Sequence, residues 1–272
     1  MDSRADFAWL HALDRELISS TPTRIGSEHP ADNRYGDVLP YDHTLPASAV
    51  DRYINANVIK PLEGPSEYIA TQGPMPHTFD RFFDLAVEKM EQDPHRCVNV
   101  IMLTELADGG RRKADDYLGH LRELLQASLE RNNLAGSTLS RVHLSQWDSV
   151  EVREVEITLG EQQWTFRHLW VRNWLDNEPP TSSISGNIYD EPLIKLSMKL
   201  QIWGGYKMVH CSAGVGRTGT FIALDYYLNH YDAYPDMFQV VASMKRQRFL
   251  MVQTQGQLNW LYNIVYKLKQ SV

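Results

Sequence analysis

Cys211 lies in the run Val209-His210-Cys211-Ser212-Ala213-Gly214-Val215-Gly216-Arg217-Thr218-Gly219-Thr220-Phe221, with glycines at 214, 216 and 219. A loop so built turns several backbone N–H groups inward, and a helix opening behind it adds unpaired N–H groups and a positive dipole end. Such a cradle suits a tetrahedral dianion, and the planar fork of Arg217 suits two of its oxygens. The same donors stabilise a thiolate, so Cys211 is expected to have a depressed pKa and to act as a nucleophile toward phosphorus. A structural cysteine on a glycine-rich turn is the plainer alternative. The cysteine, the glycines, the arginine and the hydroxyl of Thr218 occurring together favour chemistry.

Two elements must position this loop. Residues 206–209 form an apolar-leaning run short enough for a buried strand, and residues 221–228 carry apolar side chains at helical spacing. The chain of 272 residues allows one large α/β or α+β core. Hydrophobic residues are 43% and charged residues 22%, the balance of an ordinary globular protein. A net charge of −7 argues against a general binder of nucleic acid or anionic membrane, so a positive field for phosphate must be local. Two cysteines, Cys97 and Cys211, make no disulfide framework, and a reduced cytoplasmic setting suits a working thiolate. No apolar run approaches the ~20 residues that span a bilayer, and no signal-peptide pattern opens the chain.

Along the chain, residues 3–19 read as a helix with an apolar stripe of Phe7, Leu10, Leu13, Leu17 and Ile18. Residues 53–59 and 68–72 read as strands, residues 79–90 as a helix capped by Thr78, and residues 97–103 as a buried strand in which Cys97 is inert core. A helix over 118–134 is followed by antiparallel strands over 142–144, 150–158 and 164–170. Helices are expected over 188–203, after Cys211, and over 258–269.

The segment His210 to Gly219 resembles the phosphate-binding loop of the tyrosine-specific protein phosphatases, and further motifs extend the resemblance from about residue 33 to 262. It implies a highly twisted mixed β-sheet flanked by helices, the cysteine phosphatase fold, in a single catalytic domain over 1–272, with an N-terminal helix and loop at 1–30 and the core at 31–270. It implies metal-independent hydrolysis of phosphotyrosine in proteins, with no cofactor, by a monomer. In that comparison Ser212, Ala213, Gly214, Val215 and Gly216 belong to the substrate cradle, and the Thr218 hydroxyl stabilises the departing thiolate.

Asn33-Arg34-Tyr35-Gly36-Asp37 resembles the family's substrate-recognition loop. Tyr35 would wall a deep cleft and Asp37 would accept hydrogen bonds from a bound peptide's backbone. In Asp108-Gly109-Gly110-Arg111-Arg112-Lys113, the resemblance gives Asp108, in place of the usual glutamate, the task of orienting Arg217. It places Lys113 near the acid-bearing loop and Tyr117 against His210. Asn173-Trp174-Leu175-Asp176 resembles that loop, with Trp174 as hinge and Leu175 where the family has proline. An unassisted phenolate leaves poorly at neutral pH, so a proton donor is needed, and Asp176 is the candidate. Gln253-Thr254-Gln255-Gly256-Gln257 resembles the glutamine-bearing loop, whose amides hold the hydrolytic water, Gln253 first and Gln257 second. Leu250 is bulky where the family's small residue opens a secondary phosphotyrosine pocket, so that pocket is expected to be narrowed. The rival readings are a dual-specificity or phosphoinositide phosphatase, and a phosphotyrosine-binding pseudophosphatase.

Overall fold

A computed structural model describes residues 3–62, 64–180, 187–233 and 235–270. In chain order the elements are α1 (Ser3–Ser20), α2 (Arg24–Glu28), β1 (Ala56–Ile59), β2 (Tyr68–Thr71), α3 (Phe79–Gln92), β3 (Cys97–Met102), β4 (Ala107–Asp108), β5 (Arg111–Arg112), α4 (Leu121–Arg131), β6 (Thr138–Leu139), β7 (His143–Trp147), β8 (Val150–Leu159), β9 (Gln162–Val171), α5 (Pro192–Trp203), β10 (Tyr206–His210), α6 (Gly216–Asn229), α7 (Met237–Lys245) and α8 (Gln255–Gln270).

The main sheet runs β1-β2-β10-β3-β9-β8, with β6 and β7 both pairing on the outer side of β8. Its centre, β2-β10-β3-β9, is parallel, and its flanks are antiparallel. Central parallel strands are covered on both faces and read as continuous apolar runs, which is why Cys97–Met102 is buried throughout. Alternation along the strands divides the core. Tyr68, Ala70, Ile101 and Val209 face α1 and α5 to α8, whereas Ile69, Val100, Met102 and Met208 face α3 and α4.

The C-terminal ends of the parallel strands are where such a sheet collects a site. There β2 runs into Gln72-Gly73, β3 toward Glu105 and the β4–β5 ribbon, β9 into Asn173-Trp174, and β10 into Cys211.

Four local expectations change. The Thr78 hydroxyl does not cap α3; it bonds the Met75 backbone in the preceding 3-10 turn. Ile18 leaves the apolar stripe and is 58% exposed. The segments 118–134 and 188–203 each open with a 3-10 turn before the α-helix, the second broken at Glu191, whose carboxylate caps α5. Strand β7 is longer than expected because it pairs through Trp147 on an exposed edge, where no apolar pattern marks it.

The helix α1 is fixed by a buried ion pair, Lys245 Nζ to Asp14 at 2.6 Å, and the same ammonium reaches the Val252 carbonyl at 3.4 Å. Lys245→Ala would leave Asp14 as an uncompensated buried charge, and the expected loss is about 3–5 kcal/mol by urea denaturation. A loss below about 1 kcal/mol would show that the pair does not anchor α1.

Candidate active site

Three local features shape the cysteine loop. Gly214 has φ +73, and a Cβ there would lie 2.1 Å from the Thr71 carbonyl oxygen, so only glycine fits. Gly219, on the first turn of α6, packs against Val252, where a Cβ would come within 2.5 Å of the backbone nitrogen. Beneath the loop lies Arg248, fully buried. Its guanidinium donates to the carbonyls of Gly214 (2.8 Å) and Ala213 (3.0 Å) and to the side chains of Asn55 and Asn57. Holding those carbonyls back turns the antiparallel N–H groups of the loop forward. Burial lowers the Arg248 pKa to about 10, so it stays charged at neutral pH. Nothing in Lys245-Arg246-Gln247-Arg248 separates this arginine from surface charge.

The Cys211 sulfur accepts from the Gly214 N–H at 3.3 Å. Burial alone would raise its pKa. The Arg217 guanidinium, the Thr218 hydroxyl and the amides of Thr218 and Val215 outweigh burial and bring it below the usual cysteine range. The Thr218 hydroxyl faces the sulfur and has no other hydrogen-bond partner among the described residues. Cys97 is the reverse case: burial pushes its thiol up to about 11.

Arg217 is 2% exposed and donates to the Trp174 carbonyl and to the Asp176 carboxylate, each at 2.9 Å. The other carboxylate oxygen of Asp176 takes Lys113 Nζ at 2.5 Å. Asp108 does not orient Arg217. Its carboxylate accepts the Asp176 backbone N–H at 3.1 Å, across the tip of the β4–β5 ribbon, whose turn is made by Gly109 and Gly110 at positive φ. The ribbon thus grips the acid-bearing loop with Asp108 at the backbone and Lys113 at the side chain.

That loop is held at both ends. Glu105 accepts from Arg172 and from the Asn173 N–H at 3.0 Å. The buried Trp174 indole donates to the Glu178 carbonyl at 2.9 Å. Asn173 and Asn177, flanking the loop, have φ of 65° and 60°, a region asparagine tolerates better than most residues. Leu175 is 51% exposed.

On the opposite wall Tyr35 donates to the Ser212 hydroxyl at 2.8 Å, because that hydroxyl's own proton goes to the Lys113 carbonyl at 2.7 Å. Arg34 fixes the Tyr35 loop through the carbonyls of Gly73 and Pro74 and through Asp115. Asp37 is exposed at the rim.

Gln257 is fully buried: its carbonyl oxygen accepts the N–H groups of Gln253 (2.9 Å) and Thr254 (3.2 Å), and its amide reaches Glu178 at 3.4 Å. Gln253 is exposed, with its amide oxygen close over Gly216 and no hydrogen bond to its side chain among the described residues. Leu250 reaches the rim at φ +57.

These residues share one cavity of about 270 Å³, lined by Tyr35, Lys113, Asp176, Cys211, Arg217 and Gln253 among others. A larger cavity of about 610 Å³ beside Tyr262 and Tyr266 has neither a cysteine nor a carboxylate among its described lining residues. The first cavity therefore presents a cysteine sulfur, a cationic fork, a carboxylate and an aromatic wall to one small volume.

A family model, Protein-tyrosine phosphatase, matches residues 29–267. The chain belongs to the protein-tyrosine phosphatase family. It is 34% identical to human receptor-type tyrosine-protein phosphatase H over 90% of this chain and 22% of that protein. It is 33% identical to mouse tyrosine-protein phosphatase non-receptor type 18 over 94% of this chain and 56% of that one, so it spans only part of these relatives. The solved catalytic domain of human non-receptor type 18 superposes with a TM-score of 0.77 at 26% identity, covering 98% of this chain and 95% of that one. The mixed twisted sheet flanked by helices is thus the cysteine phosphatase fold of this family. No helix among the described residues is long and apolar enough to cross a membrane.

Behind the cysteine loop, on the α3 face of the sheet, Tyr117 lies against His210, their side chains 2.7 Å apart. Burial drives the His210 pKa down to about 4, aided by Arg34 and Arg217 and opposed by its hydrogen bond to the Cys211 carbonyl. His168, also buried beside Tyr117, is pushed well below 6.5 for the same first reason. Both folded values lie below the unfolded one. Their stabilising effect is complete above about pH 6.5 and is lost as pH falls toward 4. At pH 5 His210 is expected to cost about 2 kcal/mol relative to pH 7, and His168 acts in the same direction. Urea midpoints compared at the two pH values check this; equal midpoints would contradict it.

Proposed function

We propose that this protein hydrolyses phosphotyrosine in other proteins without a metal, through a cysteinyl-phosphate intermediate. The observation that carries the reading is the meeting of the Cys211 sulfur, the Arg217 fork and the Asp176 carboxylate in a cavity walled by Tyr35. Arg217 and the loop N–H groups hold the phosphoryl oxygens, replacing the Asp176 carboxylate on the guanidinium. The Cys211 thiolate attacks phosphorus as the bond to the tyrosyl oxygen breaks, and protonated Asp176 gives that oxygen its proton. Asp176, now a carboxylate, takes a proton from a water held by Gln253 as that water attacks phosphorus and the thiolate leaves toward Thr218 and Arg217. Preorganised donors supply most of the acceleration.

Gln257 keeps the Gln253 and acid-bearing loops in register. Lys113 and Asp108 hold Asp176, Trp174 anchors its loop, and Tyr35 and Asp37 receive the aryl ring and the peptide backbone. A related solved structure, at 26% identity and TM-score 0.79, is of non-receptor type 18 in complex with HER2 phospho-peptides, ligands of the class proposed here. Two unpaired cysteines agree with a reducing, cytoplasmic setting.

Turnover of phosphotyrosine, phosphoserine and phosphoinositide substrates by the same preparation tests the reading. Strong preference for phosphotyrosine is expected, since the Tyr35 wall admits a long aryl phosphate to the sulfur. Comparable turnover of phosphoserine would indicate a dual-specificity enzyme. Binding of phosphotyrosine with no hydrolysis would indicate a pseudophosphatase.

A further inference from the structure

His168 sits on β9 and His210 on β10, one strand apart from each other across β3, and both project toward the α3 face, where Tyr117 lies between them. All three side chains are fully buried. The Tyr117 oxygen is 2.8 Å from His168 Nε2 and 2.7 Å from His210 Nε2, and His210 Nδ1 is 3.0 Å from the Cys211 carbonyl oxygen.

A carbonyl only accepts, so His210 Nδ1 carries a proton and, in a neutral ring, His210 Nε2 is bare. That nitrogen must therefore accept the Tyr117 O–H. Tyr117 has one proton, already given, so its oxygen accepts from His168 Nε2–H. His168 Nδ1 is then a bare lone pair, and it has no partner among the described residues. One pattern of protons satisfies all three contacts: His168 to Tyr117, Tyr117 to His210, His210 to the Cys211 carbonyl.

We infer that His168 is a positioning residue for the nucleophile, acting through Tyr117 and His210 to hold the Cys211 carbonyl away from the Cys211 sulfur. Were His168 unable to donate, the Tyr117 oxygen would lose the donor that fixes and polarises it, its proton would be shared with the Met102 sulfur at 3.8 Å, and the link to His210 would weaken. A carbonyl released from His210 presents its lone pairs nearer the thiolate and turns the following N–H out of line, because the two are antiparallel across one peptide. Hydrogen bonds in such a chain also polarise one another.

The charged groups that face this chain are Arg153 from β8, Asp116 next to Tyr117, and Arg34 and Arg217 beyond His210. Phe79, Phe82 and Phe83 fill its other sides. Around the sulfur lie Arg217 and Arg248, with Asp176 and Lys113 beyond Arg217. None of these groups hydrogen-bonds His168 among the described residues.

The inference rests on Cys211 being the nucleophile, and the test separates the two. Iodoacetamide alkylation of Cys211 is followed against pH in the wild type, His168→Leu and His168→Gln, beside hydrolysis of p-nitrophenyl phosphate. In His168→Leu the alkylation midpoint is expected to move up by about 0.5–1 pH unit, the effect of losing one hydrogen bond from the thiolate form. The acid limb of kcat/KM should follow it. His168→Gln, whose amide nitrogen replaces Nε2, should restore the wild-type midpoint. An unchanged midpoint in folded His168→Leu overturns the inference and leaves the phosphatase reading standing. No p-nitrophenyl phosphate turnover by the wild type would instead remove the reading itself. Imidazole 15N shifts in the wild type decide the case should the leucine variant not fold. A proton on His168 Nε2 and on His210 Nδ1 supports the inference, and a proton on His210 Nε2 overturns it.

Discussion

Cys211→Ser lowers kcat on a phosphotyrosine peptide by about 10⁵-fold or more, the scale of losing a covalent nucleophile that acts as a unit with its surroundings. The loop favours an anion on residue 211 through Arg217, the Thr218 hydroxyl and the amides of Thr218 and Val215, which together lower the thiol's pKa. A hydroxyl starts far less acidic and stays neutral, so the attacking atom is lost while the cradle persists. Peptide binding should survive, since Arg217 does not depend on the sulfur and Arg248 holds the Gly214 carbonyl without it. Calorimetry with the serine variant, beside steady-state turnover, checks both halves. Turnover within tenfold of the wild type would remove Cys211 from the nucleophile's role.

The second large effect is at Asp176. Asp176→Ala is expected to lower kcat by about 10²–10⁴-fold, the usual range for a lost general acid. Its effect on binding should have the opposite sign. In the free protein the Asp176 carboxylate occupies both Arg217 and Lys113. Removing it frees two cations for the incoming dianion, so KM or Kd should fall rather than rise. The deficit in kcat should shrink for aryl phosphates with more acidic leaving groups, which leave without a proton. A uniform deficit across leaving groups would assign Asp176 to holding the loop alone.

Much of this site was legible in the sequence because it is contiguous. Cys211, Arg217, Thr218 and the glycines fall within one strand-to-helix turn, where residue type and spacing carry the chemistry. The twisted mixed sheet was legible through resemblance, and its strands through apolar runs such as 97–103. What was not legible depends on contacts made across the fold. Asp108 was expected on Arg217, yet the ribbon turn at Gly109-Gly110 aims it at the Asp176 backbone. Arg248 supports the loop from a basic run that reads as surface, and only its burial and its hydrogen bonds to Asn55 and Asn57 show it as core. Glu105 clamps the start of the acid-bearing loop from 68 residues away. His168 gave no signal, because a histidine on an apolar strand is most simply core packing.

Phosphate is expected to pass through a bond to one sulfur, that of Cys211. Rapid acid quench of the wild type during turnover, followed by mass spectrometry of its peptides, tests this most directly. The expected result is a phosphoryl group on the peptide bearing Cys211, more abundant when Gln253 is replaced and absent from Cys211→Ser. Steady turnover with no phosphorylated Cys211 at any quench time, or with phosphate on another residue, would remove the cysteinyl-phosphate intermediate.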